Sequence, residues 1–172
     1  MPIKFSIIVA LALSLALPSG LGASSDERTL SFYHTHTGES LVVTYFSDGE
    51  YLPEGLGALR SFLADWRNGK ERDIDPRLMD ILWEIQLTAR HVETYEVISA
   101  YRSPETNQML RGRSNGVAKK SQHIPGKAID VRLRGLDTAS LRDTAIGLQR
   151  GGVGYYRKSD FVHVDTGRVR RW

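Results

Sequence analysis

Two of the five histidines stand near acidic residues in a pattern that suits a metal ion. His123 comes just before a Pro-Gly turn, and Asp130 follows within a run that alternates like a strand. His163 lies far downstream, in another alternating segment. A catalytic zinc ion takes three imidazole or carboxylate ligands and keeps a further position for water. Spacing alone is weak evidence for a metal site, because a histidine that caps the backbone and an aspartate that pairs with an arginine would give the same pattern.

The wider motif around these residues is more specific. It reads Ser-x-His-x-x-Gly-x-Ala-x-Asp from Ser121 to Asp130 and is followed by the late His163. Further segments stand in a matching order: His36-Thr37-Gly38-Glu39-Ser40, Ser99-Ala100-Tyr101-Arg102-Ser103, Gly116-Val117-Ala118-Lys119-Lys120-Ser121, Gly151-Gly152-Val153-Gly154-Tyr155-Tyr156 and Phe161-Val162-His163-Val164-Asp165-Thr166-Gly167. This set resembles the zinc D,D-peptidase family, which includes VanX-type dipeptidases, D,D-carboxypeptidases and phage endolysins. The resemblance is closest to the MepK-like (YcbK-like) periplasmic murein endopeptidases and covers nearly the whole chain after residue 23.

The resemblance implies a cofactor, a fold and a substrate. It implies one zinc ion bound by His123, Asp130 and His163. It also implies a fold like that of D,D-peptidases and the hedgehog signalling domain, and a substrate in the peptide stems of peptidoglycan. Zinc lowers the pKa of its water towards about 7 and polarises the scissile carbonyl, while a carboxylate moves the proton to the leaving amine.

Two aspartates are candidates for that catalytic carboxylate. The wider family implies Asp160, three residues before His163, whereas the MepK-like branch shows the His-x-Asp formed by His163 and Asp165. Residues i and i+2 of a strand share a face and lie about 6 to 7 Å apart, so Asp165 is near enough to act at the metal's water or to orient a ligand. Asp160 reaches the metal only if the turn before residue 161 curls back. We therefore favour Asp165 over Asp160.

Three residues are candidates for substrate binding. Stem peptides carry D-amino acids and free carboxylates, and the planar guanidinium of Arg102 could hold such a carboxylate by two hydrogen bonds, or pair with a structural acid. Ser121 could orient a ligand or the substrate, or cap the local backbone. Tyr155 could line the cleft together with Tyr156, although a half-buried strand explains both tyrosines equally well.

The remaining histidines and the C-terminal arginines have simpler explanations. His34, His36 and His91 are expected to be polar surface or capping groups. Arg168, Arg170 and Arg171 form a basic tail that is expected to be solvated, with contact to an anionic wall polymer as the alternative.

The elements that must position these residues alternate between strands and helices. Period-two patterns predict a hairpin over residues 29–45 and strands over 95–101, 128–133, 153–156 and 161–165. Helical spacing predicts helices over residues 54–67, 76–89, 104–113 and 138–150, and a polar loop over 114–127. The strands predicted over residues 153–156 and 161–165 are too close in the sequence for a crossover helix between them, so we predict an α+β fold. It is a single small domain with an antiparallel sheet and flanking helices.

The first 23 residues are expected to be a secretory signal peptide. One charge at Lys4, an apolar run over residues 5–17 and a small-residue exit at Ala23 follow the order of such signals. The run is shorter than the roughly 20 apolar residues that span a membrane, although an uncleaved anchor is the alternative. The zinc peptidase domain would then occupy residues 24–172 and be secreted across the inner membrane into the periplasm. No stable membrane span would remain after cleavage.

The bulk composition narrows the classes of partner. A chain of 172 residues suffices for one domain, and 41% hydrophobic with 25% charged residues is a globular composition. The formal net charge of +3 is too mild to argue for a nucleic-acid partner. The chain has no cysteine, so neither a disulfide nor a lipidated cysteine is available. The sequence leaves the oligomeric state open, with a monomer as the expectation.

The function predicted from these observations is that of a zinc-dependent murein endopeptidase that cleaves cross-linked stem peptides. Two alternatives stay open. One is a D,D- or L,D-carboxypeptidase acting on the same polymer, which a blocked rather than an open-ended cleft would favour. The other is a non-catalytic wall-binding module of the same fold, which a missing metal ligand would favour; all three ligands are present.

Overall fold

In the computed structural model, which describes residues 26–114 and 116–172, eight strands form one sheet and four helices accompany it. The strands are β1 (Arg28–His34), β2 (Ser40–Ser47), β3 (Glu50–Tyr51), β4 (Tyr95–Ser99), β5 (Ala128–Leu133), β6 (Gly152–Tyr156), β7 (Phe161–Asp165) and β8 (Arg170–Arg171). The helices are α1 (Pro53–Phe62), α2 (Pro76–Ala89), α3 (Pro104–Arg113) and α4 (Thr138–Leu148). The signal-peptide prediction for residues 1–23 lies outside the described residues.

The sheet is mostly antiparallel, with the strand order β3-β2-β1-β4-β5-β7-β6-β8. The β1–β2, β2–β3, β4–β5, β5–β7 and β6–β7 pairs are antiparallel. The β1–β4 and β6–β8 pairs are parallel, and the long connection from β1 to β4 includes α1 and α2. These findings confirm the predicted α+β class and single small domain.

The core lies where alternate strand residues meet the apolar stripes of the helices. In β1 the side chains of Leu30 and Phe32 are buried, and α2 buries Leu78, Leu82 and Ile85 as its helical spacing predicts. In β5 and β7, which run through the interior of the sheet, nearly every residue is buried rather than alternate ones. Burial on both sides makes these two strands a rigid support for the polar residues that they carry.

Two of the predicted helix starts are confirmed with their caps. The Asp75 side chain accepts a hydrogen bond from the backbone N–H of Arg77 at the start of α2. The Ser103 side chain accepts one from the backbone N–H of Thr106 at the start of α3. In both cases a proline follows the capping residue, and the cap accepts from a backbone N–H that has no partner within the helix. The second cap fixes the chain immediately after Arg102.

Two predicted helices end earlier than their patterns indicate. The helix predicted over residues 54–67 ends at Phe62, and Trp66 lies in the following turn. Buried Asp65 shapes that turn, because its carboxylate accepts hydrogen bonds from the backbone N–H groups of Arg67 and Ser103. The last helix ends at Leu148, where Gln149 takes a left-handed conformation before the predicted glycine stop.

The two shortest strands were not predicted from the sequence. β3 and β8 have two residues each, too few to show any alternation. β8 lies in the basic tail predicted to be solvated and instead pairs with β6 in parallel. Within the described ranges, no helix combines the length and apolar character needed to cross a membrane.

Candidate metal centre

The three predicted metal ligands converge at the middle of the sheet. His163 Nδ1 lies 2.8 Å from Asp130 Oδ1, and His123 Nε2 lies 3.2 Å from His163 Nδ1 and 3.3 Å from Asp130 Oδ1. All three side chains are buried. The structure therefore brings together one loop residue and two strand residues that are distant in the sequence.

Strand pairing and a fixed loop explain this convergence. Asp130 of β5 and His163 of β7 are direct partners in the antiparallel register. His123 is held from its other side, because its Nδ1 lies 2.7 Å from the carbonyl oxygen of Ala100. The Ser121 hydroxyl accepts a hydrogen bond from the backbone N–H of His123, so Ser121 caps the loop as well as bordering the cleft.

The donor atoms fit a metal ion. Bonds of about 2.0 to 2.1 Å to a tetrahedral ion place ligand atoms roughly 3.3 Å apart, close to the spacing of these three atoms. The Ala100 carbonyl can only accept, so Nδ1 of His123 carries the proton and its Nε2 presents a lone pair. Two imidazole nitrogens and one carboxylate oxygen pointing at one position are what a cation requires.

Burial and mutual contacts shift the titration of this group. Burial lowers the pKa of His123, against the attraction of Asp130. Burial also opposes the charged form of His163, yet hydrogen bonds to Asp130 and Asp165 raise its pKa to about 9. Although burial favours the neutral acid, the charges and hydrogen bonds of the two histidines hold the pKa of Asp130 well below its ordinary value.

The Asp165 carboxylate lies behind His163, and protein groups occupy both of its oxygens. Its Oδ2 lies 3.0 Å from His163 Nε2, so Asp165 contacts the ring nitrogen that does not face Asp130. Arg170 pairs with both carboxylate oxygens, at 3.0 and 2.6 Å, and the backbone N–H groups of Gly152 and Gly167 donate to Oδ1. Its side chain is fully buried. The structure therefore brings Asp165 to a ligand rather than into the cleft.

Asp160 lies elsewhere, in the turn between β6 and β7. Its carboxylate accepts a hydrogen bond from the Thr138 hydroxyl at 2.8 Å and lies 3.4 Å from Arg132 Nε. It borders a different cleft, together with Arg132 and Thr138. The turn does not curl back, so the structure does not bring Asp160 to the three predicted ligands.

A cleft of about 430 Å³ opens over the predicted ligands. Arg102 lines it, with Nη2 3.9 Å from Asp130 Oδ2 and 3.5 Å from the Ser99 hydroxyl. Its Nε is buried and has no hydrogen-bond partner among the described residues. Arg102 thus touches its nearest acid only at the limit of an ion pair, and the guanidinium keeps donors for a ligand.

The two adjacent tyrosines of β6 point in opposite directions, as neighbours in a strand do. Tyr156 lines the cleft over the predicted ligands. Tyr155 borders the cleft of Asp160 and lies under the guanidinium of Arg142, at 4.6 Å. Of the two tyrosines that were candidates for lining the cleft, the structure places Tyr156 beside the predicted metal ligands and Tyr155 away from them.

The C-terminal residues are part of the site, which sequence reasoning missed. The Trp172 ring lies 5.3 Å from that of His163, and its Nε1 donates to the Tyr156 hydroxyl at 3.1 Å. A side chain at Gly154 would clash with it, since a Cβ there would lie 2.6 Å from the indole. The glycine within Val153-Gly154-Tyr155 was the one sequence signal of this close approach.

The remaining histidines differ in their surroundings. His34 is buried rather than on the surface, and its Nδ1 accepts from the backbone N–H groups of His36 and Thr37, so it caps the hairpin turn. His91 Nε2 lies 2.7 Å from the carbonyl oxygen of Arg134. Neither residue belongs to the metal centre.

Comparisons with known proteins agree over most of the chain. The family model described as Peptidoglycan L,D-endopeptidase MepK matches residues 22–172. The Peptidoglycan L,D-endopeptidase MepK of Escherichia coli (strain K12) is 43% identical over 145 residues, which is 84% of this chain and 80% of that protein. The Probable peptidoglycan L,D-endopeptidase MepK of Haemophilus influenzae is 41% identical over 168 residues, which is 95% of this chain and 90% of that protein. No solved structure matches the chain significantly.

Proposed function

This chain belongs to the peptidase family described as Peptidoglycan L,D-endopeptidase MepK, and from that premise we propose how its metal centre cleaves murein. The chain is a hydrolase of peptidoglycan peptide bonds, an endopeptidase like its relatives. The L,D bond of the cross-linked stems is the bond that we propose, because both compared relatives carry that specificity in their names.

The observation that carries the proposal is the convergence of His123 Nε2, Asp130 Oδ1 and His163 Nδ1 within 3.3 Å of one another. Two imidazoles and one carboxylate suit zinc, and we propose that a single zinc ion binds there. When bound, zinc supplies a Lewis acid that activates water and polarises the scissile carbonyl. The chain's own contribution is to hold three ligands in a dry, rigid pocket beside the substrate cleft.

Asp165 acts in this proposal through His163. A carboxylate on the second ring nitrogen of a ligating histidine fixes its tautomer and ring orientation, and Asp165 stands in that place. Arg170 and two backbone N–H groups hold the carboxylate itself. Asp165 is therefore a positioning residue, and the hydrogen bond to Thr138 makes Asp160 a structural residue of its turn.

Arg102 binds a carboxylate of the stem peptide in this proposal. Its guanidinium lines the cleft next to the metal ligands and has no close ion pair among the described residues. A planar fork of donors can bind a carboxylate by two parallel hydrogen bonds, which orients a peptide as well as attracting it. Tyr156 borders the same cleft, so of the two candidate tyrosines it is the one that can contact the peptide.

Export to the periplasm completes the proposal. Peptidoglycan lies outside the inner membrane, and the charge, apolar run and small-residue exit of residues 1–23 have the order of a secretory signal. We propose that residues 1–23 are removed and that the domain of residues 24–172 acts at the wall.

Digestion of purified sacculi tests the enzyme. Wild-type protein should release soluble fragments by converting cross-linked dimers to monomers, and chelator or His163→Ala should abolish this. Shortened stems with intact cross-links would instead identify a carboxypeptidase. Co-sedimentation with sacculi without digestion would identify a wall-binding module. Full digestion by His163→Ala would refute the metal assignment.

A further inference from the structure

The turn after α1 carries a stack of three side chains, Arg67, Trp66 and His36. The Trp66 and His36 rings lie 4.1 Å apart at an interplanar angle of 18°, and the Arg67 guanidinium lies 4.0 Å from the Trp66 ring. Trp66 is 37% exposed, and Arg67 is exposed. The metal centre uses none of these side chains, and the core does not include Trp66. A stack of this kind holds a guanidinium in one place at little further entropic cost.

Three hydrogen bonds tie this turn to the segment that carries Arg102, and a fourth lies within the turn. Buried Asp65 accepts from the backbone N–H groups of Ser103 and Arg67, at 2.9 and 3.2 Å. The Asn68 side chain donates to the Ser103 hydroxyl at 2.8 Å, and the backbone N–H of Tyr101 donates to the Leu63 carbonyl at 3.2 Å. Arg67 and Arg102 are thus presented by two segments that are fixed to each other.

The strand order places His36, at the base of the stack, across the sheet from Asp130. His34 pairs with Val97 of β4, and Ser99 of β4 pairs with Asp130 of β5, so His36 leaves β1 at the level of Asp130. With β4 between them and strands about 4.8 Å apart, the end of β1 lies roughly 10 Å across the sheet from Asp130. An extended peptide rises about 3.3 Å per residue, so the separation corresponds to about three residues of a bound peptide.

The arginines of this region outnumber the acidic groups that face them. Neither Arg67 nor Arg113 forms a salt bridge within the parts of the chain that the structure describes. Burial lowers the pKa of Arg67, and the charges of Arg102 and Arg113 lower it as well, against the attraction of Asp65. Guanidinium groups that repel one another beside a cleft form a site of positive potential that attracts an anionic ligand.

We propose that Arg67, held by its stack on Trp66 and His36, is a second carboxylate-binding subsite beside the cleft that Arg102 lines. It binds an acidic residue of the stem peptide about three residues from the cleaved bond, and this rests on the proposed function. The protein's own groups already stack on the indole, so the guanidinium, rather than a ring face for a sugar, is what the stack offers to a ligand.

Steady-state kinetics on two soluble cross-linked muropeptides test this subsite. One carries free stem carboxylates, and in the other the carboxylate of the acidic stem residue is an amide. On the free acid, Arg67→Gln should raise KM about tenfold or more with kcat retained, the effect of one lost charge-assisted contact. The amide should show the higher KM with the wild type already, and Arg67→Gln should add nothing to it. Arg72→Gln removes an exposed arginine that borders a different cleft and takes no part in the stack, so it should change neither substrate.

Variants of Trp66 test whether carboxylate binding depends on the stack itself rather than on the stability of the fold. Trp66→Ala should raise KM on the free acid as Arg67→Gln does, and Trp66→Phe should restore it, because phenylalanine keeps a ring under the guanidinium. Equal discrimination between acid and amide by wild type and Arg67→Gln would overturn the subsite. A Trp66→Ala defect confined to glycan-bearing substrate would overturn it in favour of a sugar. Lack of cleavage of either muropeptide by the wild type would instead refute the proposed function.

Discussion

The His163–Asp165–Arg170 chain predicts that Asp165→Asn weakens metal binding. The Asp165 carboxylate lies 3.0 Å from His163 Nε2, and Arg170 contacts both of its oxygens. Asparagine has the same shape, but its amide can donate to Nε2 and so move the imidazole proton to Nδ1. A protonated Nδ1 has no lone pair for a cation.

Comparable contacts set the expected losses of metal affinity and of folding free energy. Loss of the carboxylate behind a ligating histidine costs about 10- to 100-fold in metal affinity or activity. The same change leaves Arg170 without its partner, and breaking a fully buried pair costs about 3–5 kcal/mol of folding free energy. The Arg170 side chain is 30% exposed and can regain water, so we expect a loss of folding free energy nearer about 2 kcal/mol.

Competition with a chromogenic chelator measures the zinc affinity, and thermal unfolding followed by circular dichroism measures the stability. Asp160→Asn is the matched control, because it changes the same side chain at a 64% exposed position. It should leave zinc affinity unchanged and cost less turnover than Asp165→Asn. Wild-type zinc affinity with lost turnover in Asp165→Asn would refute the positioning role and make Asp165 the base. An inactive Asp160→Asn beside an active Asp165→Asn would show that the wider family's arrangement applies.

Three further predictions concern pH, substrate and export. The raised pKa of His163, about 9, means that zinc must displace a proton from Nδ1 below that pH, while the lowered pKa of His123 adds no second proton. Apparent zinc affinity should therefore rise about tenfold per unit between about pH 6 and 8, and a flat profile in the same chelator titration would contradict this. Arg102→Lys should raise KM about tenfold or more with unchanged zinc content, because a point charge does not replace a two-pronged contact; normal kinetics or an unfolded variant would point to a structural role. The mature N-terminus, read by mass spectrometry of a periplasmic extract, should lie within a few residues of Ser24, whereas full-length chain in the membrane fraction would indicate an anchor.

Much of the local structure follows from the sequence. The caps at Asp75 and Ser103, each followed by proline, begin helices as predicted, and residues 128–133 form a strand with the predicted bounds. These signals depend on residues a few positions apart in the sequence, so they can be recognised without knowledge of the fold. The α1 pattern fails beyond Phe62 because buried Asp65 bonds to Ser103, which is 38 residues away.

The sequence alone also singled out the three predicted metal ligands. His123, Asp130 and His163 stand in a specific motif, and the motif carries the ligand types and their order. Their convergence follows from the antiparallel pairing of the two strands that hold Asp130 and His163, and that pairing comes from the structure.

Only the tertiary structure decided what surrounds those ligands. Asp165 faces Arg170 and His163 rather than the cleft, Tyr156 rather than Tyr155 borders it, and Trp172 packs beside His163. These placements depend on the parallel pairing of β6 with a two-residue strand, and on which face of β6 meets the cleft. Periodicity tells which residues share a face but not which partner covers that face, because the partner comes from a distant part of the chain.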